Sequence, residues 1–263
     1  MALTKEQIEQ VSNALIEAEK KTIEPIVALT DQYGDVSYED AYAIQLKTFD
    51  TKVKSGQVIV GKKIGLTSRG MQEQFGIREP DYGMITDKMV VREGQSLPMS
   101  SLILPRIEPE IAFLLKEDLN GPGINVANVL DATEGVLPAF EVIDSRYKDW
   151  KITVKDSISD NASAGVMILG GKLTPVKDLD MRLLGMVLEH NGEIVSTGAG
   201  AAVLGNPAQS VAWLANKLYE FGITCKKGDF IMSGSLVAAV KVQAGSFLQA
   251  TFDHLGPVSV RFE

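Results

Sequence analysis

The chain is poor in the side chains that most often carry nucleophilic and soft-metal chemistry: its 263 residues include one cysteine and two histidines. A lone Cys225 excludes an internal disulfide and any multi-cysteine zinc or iron–sulfur site. Its surroundings predict a small, partly buried thiol near a turn. His190 precedes the Asn191–Gly192 turn and His254 lies in the turn-like HLGP, so both read as loop residues. Catalysis by a histidine base or a two-histidine metal site is therefore disfavoured. There is no G-x-S-x-G elbow and no G-x-x-x-x-G-K-[ST] loop, which removes the commonest hydrolase and nucleotide triphosphatase readings. Apolar runs fall short of the ~18 residues that a membrane helix requires. The amino terminus, MALTKEQIEQ, has no charged segment followed by an apolar one, and the expected compartment is the cytoplasm. The net charge is -8 with lysine and arginine scattered, so no basic stripe is available to nucleic acid or to an anionic membrane.

What remains is an ordinary globular composition, 45% hydrophobic and 23% charged. Thr4 and Gln7 form a capping box ahead of Ile8, Val11, Leu15 and Ala18, predicting an amphipathic helix over about residues 4 to 20. Ser37, with Asp40 in the capping-box position, starts a second helix that stops at Gly56. VIVGKKIGLTS reads as a strand leading into a loop, and SRGMQEQFG as a short helix. From about residue 84 the pattern becomes short apolar segments broken by Gly, Pro and Asn, which predicts a mixed or antiparallel sheet system. One helix interrupts it, with Asn206 as cap, Pro207 at its first position and Gly222 at its end. The expected architecture is α+β in a single catalytic domain over 1–263, with residues 1–80 mainly helical and 81–263 β-rich. The glycine run GAGAAVLG at 198–205 has its third glycine displaced from a dinucleotide loop and follows a hairpin strand. It reads as a close backbone turn able to present N–H groups to an anion.

The acids are less ordinary. In LPRIEPEIAF, residues 104–113, Glu108 and Glu110 fall on one face of an apolar strand, because strand side chains alternate. Glu141 is embedded in a second such run, VLPAFEVIDS. Three carboxylates in apolar strands repel one another and lose hydration, and a divalent cation would offset both effects. Oxygen-only ligands favour magnesium or manganese over zinc. The alternative is internal pairing, with Glu108 or Glu110 against Arg106 and Glu141 against Arg146 or a lysine; spacing alone leaves both open. Arg106 shares the face of Glu108 and Glu110, where it would support a ligand from outside the coordination sphere. Further polar islands are Lys62 and Lys63 in VIVGKKIGL, Asp81 in the turn-like PDYG, and Asp160, Asn161 and Ser163 in DSISDNAS. Together they describe a cation site, an anion-binding lysine and a candidate proton carrier.

At this point GKKIGLTS, EPDYG, PRIEPEIAFLLKEDLNGPG, FEVIDSRYKDWK, SDNAS and TGAGAAVLGNP resemble the 2-hydroxypenta-2,4-dienoate (2-oxopent-4-enoate) hydratases of aromatic meta-cleavage catabolism. These hydro-lyases belong to the fumarylacetoacetate hydrolase superfamily. The likeness runs from about residue 36 to the end. It implies a curved mixed-sheet core of the fumarylacetoacetate-hydrolase C-terminal type after a helical portion. It also implies a Mg2+ or Mn2+ site on Glu108, Glu110 and Glu141, Lys63 and Asp81 as catalytic residues, and Ser163 and Ser235 as substrate-binding ones. The implied partners are a small 2-oxo or 2-hydroxy dienoate, other copies in a homo-oligomer, and a paralogous decarboxylase. The related 2-oxo-3-hexenedioate (4-oxalocrotonate) decarboxylases share the metal site, FEVIDSRY and GAGAAVLG. EPDYG, DWK and SGSL resemble the hydratase version. An acylpyruvate-type hydrolase is a remoter resemblance, since it would be expected to use a histidine-assisted water.

Overall fold

The computed structural model describes residues 2–263. Helix α1 (Lys5–Glu19) begins on the anticipated capping box, with Thr4 accepting from the Gln7 N–H and Gln7 returning the bond. Three helices follow it along the chain: α2 (Leu29–Tyr33), α3 (Tyr38–Lys54) and, beyond the first strand, α4 (Arg69–Phe75). Ser37 caps α3 through the Asp40 N–H, but the Asp40 carboxylate reaches Leu3 N–H and the Ser37 hydroxyl, so the reciprocal half of that box is not made. Val11 and Leu15 of α1 pack with Leu29, Val36, Ile44 and Tyr147 into a small core of their own. Short helices α5 (Val126–Ala132) and α6 (Val154–Ser159) precede the long α7 (Pro207–Tyr219), which starts on Asn206 and Pro207 as expected.

Among the described residues, thirteen strands form two sheets. The larger contains β1 (Ile59–Gly65), β2 (Asp81–Thr86), β3 (Val90–Arg92), β5 (Arg106–Leu115), β6 (Thr133–Ile143), β7 (Ala164–Leu169) and β10 (Phe230–Ser235) in the order β2-β1-β10-β5-β6-β7-β3, with β11 (Val240–Lys241) paired to β5. It is mixed: β1 runs parallel to β10 and β3 to β7, and the remaining pairs are antiparallel. The smaller sheet has the order β4-β13-β12-β8-β9, from β4 (Ser96–Leu97), β8 (Gly185–His190), β9 (Glu193–Ala199), β12 (Phe247–Phe252) and β13 (Gly256–Phe262). The mainly helical first 80 residues thus contribute β1, a strand well inside the large sheet.

Strand alternation gives the large sheet two different faces. Ile107, Ile111, Phe113 and Leu115 of β5 point into the main core, as do Val136, Phe140 and Val142 of β6, and there they meet Leu248, Phe252, Val258 and Phe262 of the smaller sheet. Truncating a fully buried phenylalanine such as Phe113 to alanine in such a core costs about 3–5 kcal/mol. The opposite face carries a thin apolar patch, Ile85, Ala112, Ala139, Met167 and Met232. By the same alternation that face also carries Asp81, Lys63, Glu108, Glu110 and Glu141. Residues distant in sequence reach one surface because each strand keeps its odd or even positions turned towards it.

A candidate metal centre and active site

The β5–β6 register sets Glu108 directly opposite Glu141 and Glu110 opposite Ala139. One carboxylate oxygen from each of Glu108, Glu110 and Glu141 can be chosen so that all three lie within 4.8 Å of one another. Glu110 and Glu141 are buried and Glu108 is half-buried. Glu110 Oε2 accepts the Gly234 N–H at 2.7 Å, while Glu110 Oε1 and both oxygens of Glu141 have no hydrogen-bond partner. Burial, then the neighbouring Glu141, pushes the Glu108 carboxyl up to about 7. Burial, then Glu141 and Glu108, raises Glu110 well above the ordinary carboxylate range. A trio this close, all-oxygen and incompletely partnered suits a hard divalent cation, which removes repulsion and desolvation together. Of the internal pairings the sequence left open, Arg106 and Arg146 form none with these acids, but a lysine does: Lys63 Nζ lies 3.3 Å from Glu141 Oε1.

Lys63 projects from β1 across β10 towards β5. Its burial opposes its charge, yet Glu141, Asp81, Glu108 and Glu110 outweigh that and hold its pKa above that of an ordinary lysine. Where PDYG predicts a turn, Asp81 instead opens β2, buried, because β2 pairs with β1 from Gly65↔Asp81 onward. Its Oδ2 accepts from the Ser157 hydroxyl at 3.1 Å, and its Oδ1 has no partner. Burial raises the Asp81 pKa against the pull of Lys63 and Ser157. Gly65 explains how the two groups approach: a Cβ there would overlap Asp81 Oδ1 and come within 3.1 Å of Lys63 Nζ. The helices brace this corner through Gln45 of α3, whose amide donates to Tyr82 O and Ile158 O.

The third wall is the turn Asn161–Ala162–Ser163, where three consecutive non-glycine residues hold φ of 58°, 50° and 55°. Each left-handed residue costs on the order of 1 kcal/mol, so the turn must be held by its surroundings. Arg146 does so, with Nε on Asp160 Oδ1, Nη1 on Asp144 O and Ala164 O, and Nη2 on Asp160 O. The Asn161 amide clasps both the N–H and the C=O of Met84, and a Cβ on Gly83 would collide with Asn161 O. Ser163 Oγ emerges buried and without a partner. Nine buried side-chain atoms lack partners among the described residues, and five belong to Asp81, Glu110, Glu141 and Ser163; the shortfall is concentrated on this one face.

Other sequence-predicted residues lie differently. Ser235 stands opposite Glu110 in the β10–β5 register, but its hydroxyl donates to Val237 O at 2.7 Å within its own loop. Arg106 stacks on Trp150, its guanidinium 4.7 Å from the ring centroid, and touches no glutamate. Lys62 points to the opposite face of β1 and pairs with Asp229 at 2.5 Å beside a cavity of about 600 Å3, which Phe49, Val53, Met84 and Ile223 also line. His190 ends β8 with Nε2 3.0 Å from Ser246 Oγ, Cys225 is fully buried, and GAGAAVLG closes β9 with one helical turn. Sequence reasoning missed Ser157, the Arg146–Asp160 clamp and the Gly234 N–H. Only Gly65 leaves a local signal, a glycine two positions after Lys63 on the same strand face.

Residues 64–263 match the fumarylacetoacetate (FAA) hydrolase C-terminal family. The chain is 46% identical over 224 residues to the 2-hydroxypent-2,4-dienoate hydratase of Pseudomonas putida, covering 84% of this chain and 100% of that protein. It is 43% identical to a 4-oxalocrotonate decarboxylase of Pseudomonas sp. (strain CF600), over 99% of this chain and 98% of the relative. Among solved structures, the 4-oxalocrotonate decarboxylase of Pseudomonas putida G7, complexed with magnesium and adipate, superposes with a TM-score of 0.96 at 41% identity, covering 99% of both chains. No helix among the described residues is long and apolar enough to cross a membrane. With a family match over most of its length and relatives above 40% identity from end to end, the chain belongs to the fumarylacetoacetate hydrolase family.

Proposed function

We propose that the protein hydrates 2-hydroxypenta-2,4-dienoate to 4-hydroxy-2-oxopentanoate, a metal-dependent hydro-lyase step of aromatic meta-cleavage catabolism. The observation that carries the reading is Asp81: a buried carboxylate with a free oxygen, beside Lys63 and on the face that holds the three glutamates. Glu108, Glu110 and Glu141 would hold Mg2+ or Mn2+, and the ion supplies Lewis acidity towards the 2-oxo acid end of the substrate. Lys63 places its ammonium against the substrate carboxylate or 2-oxygen, where negative charge grows as the 2-hydroxyl loses its proton. Ser163 Oγ is free to bond the same carboxylate, and Ser235 shapes the loop beside Glu110. Asp81, kept protonated more readily by its burial, delivers a proton to C5 as the dienol becomes the 3-ene-2-one. The resulting carboxylate then takes a proton from water as the hydroxyl adds at C4, and the proton released from the 2-hydroxyl is returned through solvent to C3. The balance is one water consumed and no other group released.

Asp81→Asn is expected to lower hydration by roughly 10²-fold with the fold intact, the scale of a lost general acid–base group. A near-normal rate removes Asp81 from the mechanism. Decarboxylation of 2-oxo-3-hexenedioate is the second reading, favoured by the 0.96 TM-score to a decarboxylase. Release of CO2 from that diacid, without water addition to the pentadienoate, would establish it. The hydratase reading includes a homo-oligomer in the cytoplasm and association with a paralogous decarboxylase; sedimentation of the pure protein, alone and with such a partner, tests both associations.

A further inference from the structure

Asp81 carries the proton in the proposed function, and among the described residues the one side chain hydrogen-bonded to its carboxyl group is Ser157, at 3.1 Å from Oδ2. That bond comes from α6, a helix of six residues. A helix so short does not hold itself together in water. Its neighbours hold it at three points. At its start the fully buried Asp156 carboxylate takes the N–H and hydroxyl of Thr30 from α2, each at 2.8 Å, and the N–H and hydroxyl of Thr153, each at 2.7 Å. At its end Asp160 is gripped by Arg146. Between them Gln45 of α3 donates its amide to Ile158 O at 3.1 Å and to Tyr82 O at 2.8 Å. Those carbonyls belong to the residues that follow Ser157 and Asp81, so one buried side chain ties the backbone of the acid to the backbone of its donor. Val154 and Ile158 turn into the main core, and half-buried Ser157 is left on the side of Asp81.

An aspartate carboxyl left to itself turns broadly about its last bond and offers either oxygen. Here one oxygen is taken by Ser157, and the other, Oδ1, lies over Gly65 on the side of Lys63 without a partner. We infer that Ser157 is the positioning residue of the acid: by occupying Oδ2 it commits Oδ1 to proton transfer, and the helical first part of the chain serves the reaction through α6. The inference rests on the proposed function for the role of Asp81, while the hydrogen bond itself does not depend on which substrate is turned over. Holding a reacting group in one orientation removes part of the barrier before chemistry begins. Without the hydroxyl, the carboxyl group is free to turn both oxygens towards the Lys63 ammonium, a charge-assisted pairing that competes with proton delivery.

A double-mutant cycle on the Mg2+-loaded protein tests this. Ser157→Ala is expected to lower kcat for the pentadienoate roughly ten-fold with KM changed by less than about two-fold, the scale of one hydrogen bond to a charged group that acts on chemistry and not on binding. Ser157→Thr keeps a hydroxyl in place and should retain most of the rate. In the Asp81→Asn protein the same Ser157→Ala change should alter kcat by less than about two-fold, because no proton is left to position. A ten-fold loss in that background too, or no loss in the wild type, overturns the inference. A measurement apart from turnover uses protein labelled with 13C at the aspartate carboxyl carbons, in which the Asp81 NMR signal is the one missing from Asp81→Asn. That signal should move in Ser157→Ala and move less in Ser157→Thr. An unmoved signal overturns the positioning whatever the protein hydrates, whereas a moved signal in a protein that hydrates nothing upholds the positioning and rejects the hydratase reading alone.

Discussion

Two buried clusters of charge lie in this protein, and they are built on opposite plans. Around Arg146 and Asp160 the bonds close on themselves: guanidinium nitrogens meet Asp160, Asp144 O and Ala164 O, and Asp160 Oδ2 takes the Arg146 N–H and lies 3.3 Å from the Ser145 hydroxyl. Around Lys63, four carboxylates share one buried ammonium, and Asp81, Glu110 and Glu141 retain oxygens with no partner. Burial is equally deep in both, so depth alone does not separate structure from function. What separates them is whether the chain supplies the last bond. Adjacent residues repeat the contrast, Lys62 paired with Asp229 on one face of β1 and Lys63 among the glutamates on the other.

Breaking each cluster should give effects of opposite kind. Glu141→Gln removes a proposed ligand and is expected to reduce metal-dependent hydration by roughly 10³-fold. In EDTA the same variant should melt no lower than the wild type, because the lost contact with Lys63 is offset by relief of the repulsion that Glu141 exerts on Glu108 and Glu110. A clear drop in its melting temperature would mean that Glu141 is structural. Arg146→Met leaves Asp160 buried without its cation and frees the left-handed turn, for an expected loss of about 3–5 kcal/mol in a denaturant titration. A loss below about 1 kcal/mol would contradict the clamp.

The third test sharpens the comparison through pH. Glu108, at about 7, and Glu110 have folded pKa values above those of an unfolded glutamate. Their contribution to stability is therefore complete below the ordinary carboxylate range and is lost as pH rises through about 7. Metal-free protein should melt at progressively lower temperature from pH 5 to pH 8. Added Mg2+ should raise the melting temperature more at pH 8, where no proton competes for the oxygens, than at pH 5. An equal Mg2+ increment at both values would place the ion elsewhere.

Much of the scaffold is legible in the residues because its signals are local. Caps and a 3.6-residue period announce α1, α3 and α7, whereas α2, α5 and α6, at five to seven residues, are too short to develop a period. The same alternation marks Glu108 and Glu110 as one face, but setting Glu141 opposite Glu108 depends on a strand register that no short segment contains. PDYG misleads for a related reason. Its Pro, Asp and Gly carry turn preferences, yet Gly83 is needed where Asn161 presses against β2, a contact across nearly eighty residues. Arg146 is similarly ambiguous, since nothing near it tells whether its carboxylate is Glu141 or Asp160. Family resemblance supplies what local reasoning does not, because it carries long-range register along with the motif.

The glycines at 65 and 83 have a consequence for how such a protein can change. Where the site's surface is main chain, with Asp81 and Asn161 already filling the space of a side chain, substitution has almost nothing to work with. Change on this face is thereby channelled to side chains whose space is not already taken. A mutant library that spares both glycines would leave the packing of Asp81 and Asn161, and with it the interior chemistry, as inherited.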